Sequence, residues 1–189
     1  VKALPPGGTL TETFLYKVTN SAPASAWSRL VVTINGTNDR PVAVSDTNST
    51  ALKEDVTISA TGNVLSNDTD VDGGDTRRVS IVGGSAVTSG STAASGGTTV
   101  QGTYGNLVIG ADGNYQYTLA VTAAQQTASN LLAEGQAVSD SFTYNILDAN
   151  GATSASAATL TFNITGTNES PLNAAPASVA ASNNTDFLF

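Results

Sequence analysis

The sequence predicts an all-β fold made of Greek-key β-sandwiches in a tandem array. Three observations support it: short segments of alternating apolar residues, frequent turn-forming residues between them, and an internal repeat. Helical periodicity is nearly absent, and only residues 121–132 offer room for a helical turn or two, or otherwise for a crossover loop. A chain of 189 residues is long enough for one ordinary domain with extra pieces, or for two small domains.

Alternating apolar residues indicate seven strands in the central part of the chain. In the clearest hairpin, Asp112 begins the turn, and Tyr115 and Tyr117 follow at alternate positions of the returning strand. Phe142 and Tyr144 alternate in the same way, so we expect these four aromatic residues in the core rather than in a sugar-binding surface. The strands are expected at 42–47, 56–64, 77–83, 98–110, 114–120, 139–147 and 155–166.

Two segments near the start of the chain recur later in it. Residues 10–20 are similar to residues 138–148, and residues 30–42 are similar to residues 160–172. Such self-similarity indicates repeated structural units. It divides the chain into the last two strands of a preceding sandwich at 1–38, a linker at 39–41, a complete sandwich at 42–168, and a linker with the first strand of a following sandwich at 169–189.

The composition excludes several classes of function. The chain has 15 acidic and 7 basic residues and a net charge of -8, whereas nucleic acids and anionic membrane surfaces require a basic patch. It has no cysteine and no histidine, so disulfides, thiolate metal sites and the usual general base are absent. We therefore expect no enzyme, no nucleic-acid partner and no membrane insertion. Cations that prefer oxygen ligands, above all Ca²⁺, remain possible partners.

The acidic stretch "NDTDVDGGD" at residues 67–75 is the strongest chemical signal in the chain. Asp68, Asp70 and Asp72 stand at positions one, three and five of a pattern whose sixth residue is glycine, which is the first half of an EF-hand loop. The twelfth position is Val79 instead of a bidentate glutamate, so the loop needs ligands from elsewhere. The alternative is a solvated turn, because Asp and Gly are common turn residues.

Strand counting suggests where the other ligands come from. In an up-and-down succession of strands, the acidic loop, the turn at Asp112 and the turn at Asp148 lie at one pole, and the linker "GTNDRPV" enters at that pole. Asp112 itself is predicted to form only a hairpin turn. The expected calcium ligands are Asn38, Asp39, Asp68, Asp70, Asp72, Asp75 and Asp148, with Glu54, Asn168 and Glu169 as weaker candidates at the opposite pole.

Longer stretches of the sequence resemble a known family. The segments "GTYGNLVIGADGNYQYTL" and "LLAEGQAVSDSFTYNILDANGATSASAATLTFNITGTNESP" closely resemble the VCBS repeat of giant RTX-type bacterial adhesins, and "VLSNDTDVDGGD" resembles a loop of bacterial cadherin-like repeats. The resemblance covers about residues 42–171 and the end of a second copy at 4–41. It implies an immunoglobulin- or cadherin-like β-sandwich, type I secretion to the bacterial cell surface and calcium-dependent rigidity. The Asn-Asp linker beside a DxD loop looks like the cadherin calcium clamp.

Three functions follow as hypotheses. The first is a calcium-stiffened spacer in a large extracellular adhesin that supports adhesion and biofilm formation, with neighbouring repeats of the same protein as its partners. The second is a module that itself binds a glycan or another ligand. The third is a self-assembling filament, in which residues 1–38 complete another copy of the chain by strand exchange. A tandem repeat without an aromatic cluster in its loops favours the spacer.

Overall fold

The computed structural model describes residues 4–22 and 24–169 of the chain. The expected linker and first strand of a following sandwich, at 169–189, lie outside the described residues except for residue 169. The described part contains twelve strands and one α-helix: β1 (Thr9–Thr19), β2 (Ser25–Asn35), β3 (Asp46–Thr47), β4 (Leu52–Lys53), β5 (Ser59–Asn63), β6 (Arg77–Val82), β7 (Ser85–Ala86), β8 (Thr98–Gln101), β9 (Gly105–Ile109), β10 (Asn114–Leu119), α1 (Ala123–Ser129), β11 (Ala137–Asp148) and β12 (Ala158–Thr165).

Two sheets form the sandwich, in agreement with the predicted all-β class. One has the strand order β5-β10-β9-β8, and the other has the order β3-β12-β11-β6-β7, with β4 also paired to β12. Both β3 and β4 run parallel to β12, while the other neighbours are antiparallel. The chain therefore enters and leaves the sandwich along adjacent strands that point in the same direction.

The expected single strand at 98–110 is wrong, because it is two strands, β8 and β9, joined by a tight turn. The amide of Gly102 donates to the carbonyl of Gly105 at 2.7 Å, and the carboxylate of Asp140 accepts from the amides of Thr103, Tyr104 and Gly105. Apolar alternation continues on both sides of this turn, so periodicity alone does not reveal it. The expected strand at 42–47 is likewise reduced to β3 and is continued by the separate strand β4.

Residues 121–132 contain the short helix α1 rather than only a loop. A capping box starts it: the Thr122 hydroxyl accepts from the Gln125 amide, and the Gln125 side chain accepts from the Thr122 amide. The Gln125 side chain also donates to Asn106 at 2.7 Å, which ties the helix to β9. Among the described residues, no helix has the length and apolar character needed to span a membrane.

Aromatic residues fill the centre of the sandwich, as the sequence predicts. The Tyr117 and Phe162 rings stack at 4.1 Å between centroids, and Tyr115 meets Phe162 edge-on at 5.6 Å. Phe142 and Tyr144 are 5% and 1% exposed. Because these rings are buried, they do not form a surface on which a sugar could stack.

Strands β1 and β2 pair with each other over their full length and form a hairpin of their own. Residues of even number in both strands share one surface, which we call the inner face of the hairpin. This face carries large apolar side chains that are 37–55% exposed: Leu10, Phe14, Tyr16, Val18, Leu30 and Val32. Within the part of the chain that the structure describes, this face lacks the cover that an apolar sheet face normally has.

Candidate metal centre

Three carboxylates meet at the pole where the acidic loop lies. Asp70 and Asp75 come from the loop between β5 and β6, and Asp148 ends β11. The pairing of Asp148 with Arg77 at the start of β6 brings the end of β11 next to the loop. One oxygen of each carboxylate lies within 4.8 Å of the others. Like charges at this separation repel unless a cation lies among them.

Hydrogen bonds fix two of these carboxylates. Asp75 accepts from the Ala149 amide at 3.1 Å and from the Asn150 side chain at 2.8 Å, so the loop is joined to the turn that follows β11. Asp148 accepts from the Ala152 amide at 2.7 Å. Burial alone raises the pKa of Asp148, but hydrogen bonds from the Asn38 side chain and from backbone amides outweigh it, and the pKa lies below its ordinary value. The charged form of Asp148 is thus favoured, as a cation ligand requires.

The linker before the sandwich contacts both the acidic loop and the end of β11, as strand counting predicts. The Asn38 side chain donates to Asp148 at 2.8 Å, and the Asp39 amide donates to the Asp72 carboxylate at 2.8 Å. Asp39 therefore contacts Asp72 through its backbone. A cation held at this pole would have ligands on both the linker and the sandwich.

Asp68 lies apart from the three-carboxylate cluster. It is buried and accepts from the Val44 amide at 2.7 Å, beside Asp46 and Arg77. Burial, opposed in part by the Val44 amide, raises the pKa of Asp68 above its ordinary value. Its contacts fix the first residues of the sandwich against the loop.

The donor set fits Ca²⁺. Within the described part of the chain, four buried oxygens at this pole have no hydrogen-bond donor, and all belong to residues that the sequence predicts as ligands: Asn38 Oδ1, Asp68 Oδ2, Asp70 Oδ2 and Asp72 Oδ1. A buried oxygen without a donor is costly unless a cation satisfies it. Calcium takes six to eight carboxylate and carbonyl oxygens, and the site offers oxygen ligands only.

Two further residues of this pole are not among the predicted ligands. Asn150 holds Asp75, and its only signal is the turn sequence "DANG" at 148–151. Asp46 accepts from the Tyr144 hydroxyl at 2.7 Å and lies near Asp68, which connects the pole to the core. Asp112 forms a hairpin turn, as expected, by accepting from the Asn114 amide at 3.1 Å.

A family comparison covers the same region. The family model of the bacterial cadherin-like domain matches residues 38–166, about two thirds of the chain. The chain belongs to the bacterial cadherin-like domain family. The match begins at Asn38, so it includes the linker residues that contact the acidic pole. A comparison with curated proteins found no match.

The opposite pole of the cadherin-like domain holds the weaker candidates. Glu54 is 2% exposed, and one of its oxygens accepts from the Thr167 amide at 3.3 Å. Its second oxygen and Glu169 Oε1 are buried without a donor among the described residues, whereas Asn168 is exposed. Glu54 and Glu169 therefore each have a buried oxygen without a donor at this pole, whereas the acidic pole has four such oxygens.

Substituting Glu54 by glutamine should stabilise the cadherin-like domain when calcium is absent. Burial, opposed by the Thr167 amide and reinforced by Glu169 and Asp55, raises the pKa of Glu54 above its ordinary 4.5. The charge therefore costs stability above the folded-state pKa, and this cost disappears below the ordinary value. We expect Glu54→Gln to add about 1 kcal/mol to the free energy of unfolding at neutral pH in chelator.

Denaturant unfolding at two pH values checks this expectation. The gain should vanish below pH 4.5, where the side chain is protonated in both states. The control is Asp55→Asn, which removes a charge from the exposed neighbour and should give no comparable gain. A loss of stability on Glu54→Gln at neutral pH in chelator would contradict the electrostatic account.

Proposed function

We propose that residues 38–168 form a calcium-stiffened spacer in a large extracellular bacterial adhesin or surface fibre. The observation that carries the proposal is the pair of hydrogen bonds from the linker, at Asn38 and Asp39, to the acidic pole of the sandwich. Membership of the cadherin-like family supports a structural or adhesive module of a surface protein. The resemblance to VCBS repeats supports the narrower assignment to type I-secreted RTX adhesins.

Calcium would be held mainly by the three-carboxylate cluster of Asp70, Asp75 and Asp148. Asn38 and Asp72 would add their buried oxygens that have no donor. The bound cation supplies positive charge that offsets the carboxylate repulsion. Because its ligands would lie on both the linker and the sandwich, binding would restrict the movement of the linker that contains Asn38 and Asp39.

The expected stabilisation is modest and matches extracellular conditions. Sites of this kind in extracellular proteins have Kd values on the order of 10⁻⁴ M, and calcium outside cells is near 10⁻³ M. A tenfold excess of free ligand over Kd stabilises the folded state by about 1.4 kcal/mol. For a domain of this size that corresponds to a rise in Tm of roughly 4–7 °C.

The test is thermal unfolding in calcium and in excess chelator, with Asp70→Asn as the main variant. Asp70 belongs to the cluster and has a buried oxygen without a donor, so the variant should lose most of the calcium-dependent gain in Tm. The matched control is Asp112→Asn, which makes the same charge change in an exposed hairpin turn. It should keep the full gain.

A second readout measures stiffening directly. Trp27 is the only tryptophan and lies on the hairpin, on the far side of the linker from the sandwich. Calcium should lengthen the rotational correlation time of Trp27 in fluorescence anisotropy decay, and Asp70→Asn should prevent this. Two results would contradict the proposal: calcium changes neither the Tm nor the rotational correlation time of Trp27, or Asp70→Asn keeps the same calcium-dependent gain as Asp112→Asn. Either result would mean that the loop is a solvated turn and that the spacer is not calcium-dependent.

A further inference from the structure

The β1–β2 hairpin repeats the β11–β12 hairpin in structure as well as in sequence. Phe14 pairs with Leu30, and the equivalent residue Phe142 pairs with Leu160. The same equivalence holds along the strands, since Leu10 pairs with Ile34 and Val138 pairs with Ile164. A one-residue difference in register would exchange the two faces. The inner face of β1–β2 is therefore the counterpart of the buried face of β11–β12.

The turns that precede the two hairpins are also equivalent. The Gly8 amide donates to the Pro5 carbonyl at 2.8 Å, as the Gln136 amide donates to the Ala133 carbonyl at 2.9 Å. The residue before each donor is a glycine with the same positive φ of 75°. The similarity thus extends to the point where the chain enters the hairpin, and residues 4–36 correspond to residues 132–166.

The two hairpins differ in what covers them. Phe142 and Leu160 are 5% and 1% exposed, because the sheet β5-β10-β9-β8 lies over them. Their counterparts Phe14 and Leu30 are 50% and 53% exposed. The outer face of β1–β2 also carries Leu15, Trp27 and Val31, but most of its other side chains are threonine, serine or charged, so the inner face is the more apolar of the two.

One charged residue on the inner face indicates what kind of surface would cover this face. Glu12 occupies the position of Asp140, whose carboxylate is buried. Asp140 accepts from three amides of the β8–β9 turn and from the Tyr117 hydroxyl at 2.7 Å. A carboxylate in the middle of an apolar face needs such donors when it is covered.

We propose that the inner face of β1–β2 binds the open sheet of a cadherin-like sandwich that lacks its own last two strands. Glu12 accepts hydrogen bonds from a turn of that sheet that is equivalent to the β8–β9 turn, and from a tyrosine hydroxyl. The partner is not the intact sandwich of a second copy, since its sheet β5-β10-β9-β8 is already covered by β11–β12. The inner face contains no residue of the acidic pole, so its binding does not depend on calcium.

Two fused chains that differ only in one hairpin test it. In both, residues 42–131 are followed by a hairpin and then by residues 37–189. The test chain uses residues 4–36 as that hairpin, and the control chain uses residues 132–166, which already cover this sheet in the structure. Both are measured in chelator, so that the result does not depend on calcium.

We expect the amides of β1 and β2 to exchange roughly 100-fold more slowly in the test chain than in the original chain, because they become part of a covered core. Phe14→Ala should abolish most of this protection, whereas Leu15→Ala, on the outer face, should leave it unchanged. Glu12→Gln should also reduce it, and in the original chain none of the three should alter the slow exchange of β11.

Two results would overturn the proposal. One is a control chain that protects its upstream hairpin while the test chain does not. The other is a test chain in which Phe14→Ala and Leu15→Ala have equal effects. The original chain could also form concentration-dependent dimers that persist in the test chain and that Phe14→Ala disrupts. Such dimers would overturn the proposal and would identify a second copy as the occupant.

Discussion

Asp140→Ala should lower the free energy of unfolding of the cadherin-like domain by about 3–5 kcal/mol, the cost of removing one partner from a buried charged network. The Asp140 carboxylate is 3% exposed, and it is the acceptor for three backbone amides and the Tyr117 hydroxyl. Without it, the Gly105 amide and the Tyr117 hydroxyl stay buried without this acceptor, and the part-buried amides of Thr103 and Tyr104 lose theirs. The β8–β9 turn should open first, because Asp140 accepts from three of its backbone amides.

Denaturant unfolding and amide exchange measure the two parts of this effect. Exchange at Thr103, Tyr104 and Gly105 should accelerate more than exchange at β11 and β12. Burial, followed by the hydrogen bond and charge of Asp140, raises the pKa of Tyr117 far above its ordinary value, so this hydroxyl remains a donor at any accessible pH. Ser139→Ala, on the neighbouring position of β11, is the control. A loss below about 1 kcal/mol for Asp140→Ala would show that water replaces the carboxylate.

Phe162→Ala should destabilise the domain by a similar amount, about 3–5 kcal/mol. Its ring is fully buried and contacts Tyr115, Tyr117 and Phe142, including the stacked pair at 4.1 Å. Removing it leaves a cavity between the two sheets that the strands cannot close without breaking their register. The Tm should fall by roughly 10–20 °C.

The chain offers a matched control for this substitution. Phe14→Ala removes the same side chain from the exposed inner face of the hairpin and should leave the Tm of the domain unchanged. Equal effects of the two variants would mean that the hairpin and the sandwich unfold as one unit. A small effect of Phe162→Ala alone would mean that the core repacks around the cavity.

Much of the fold can be predicted from the sequence because its strands are short and alternating. The turn at residues 102–104 is missed because Asp140, some 35 positions away, holds it. This error does not change which loops lie at the acidic pole, because the chain makes two unexpected reversals. Residues 83–97 lead it back to the acidic pole, where Ser91 lies beside Asp112, and the β8–β9 turn reverses it again. The predicted meeting of the linker and the loop therefore agrees with the contacts in the structure.

The candidate site was less predictable in detail. From their regular spacing, Asp68, Asp70 and Asp72 are expected to have equivalent positions. In the structure, however, the Asp72 amide donates to the Asp70 carboxylate at 2.9 Å, and the loop turns at that point. The turn brings Asp75, beyond the repeating spacing, next to Asp148. Asp68 remains behind against Val44. Such a local reversal depends on hydrogen-bond geometry, which residue spacing does not encode.

The parallel pairing of β3 and β4 with β12 has a mechanical consequence. The sandwich begins at Asn38 at one pole and ends near Thr167 at the other, so tension along its long axis pulls these paired strands in opposite directions. The hydrogen bonds between them then bear the load together in shear instead of breaking one after another. A domain connected in this way should resist extension until those bonds fail together.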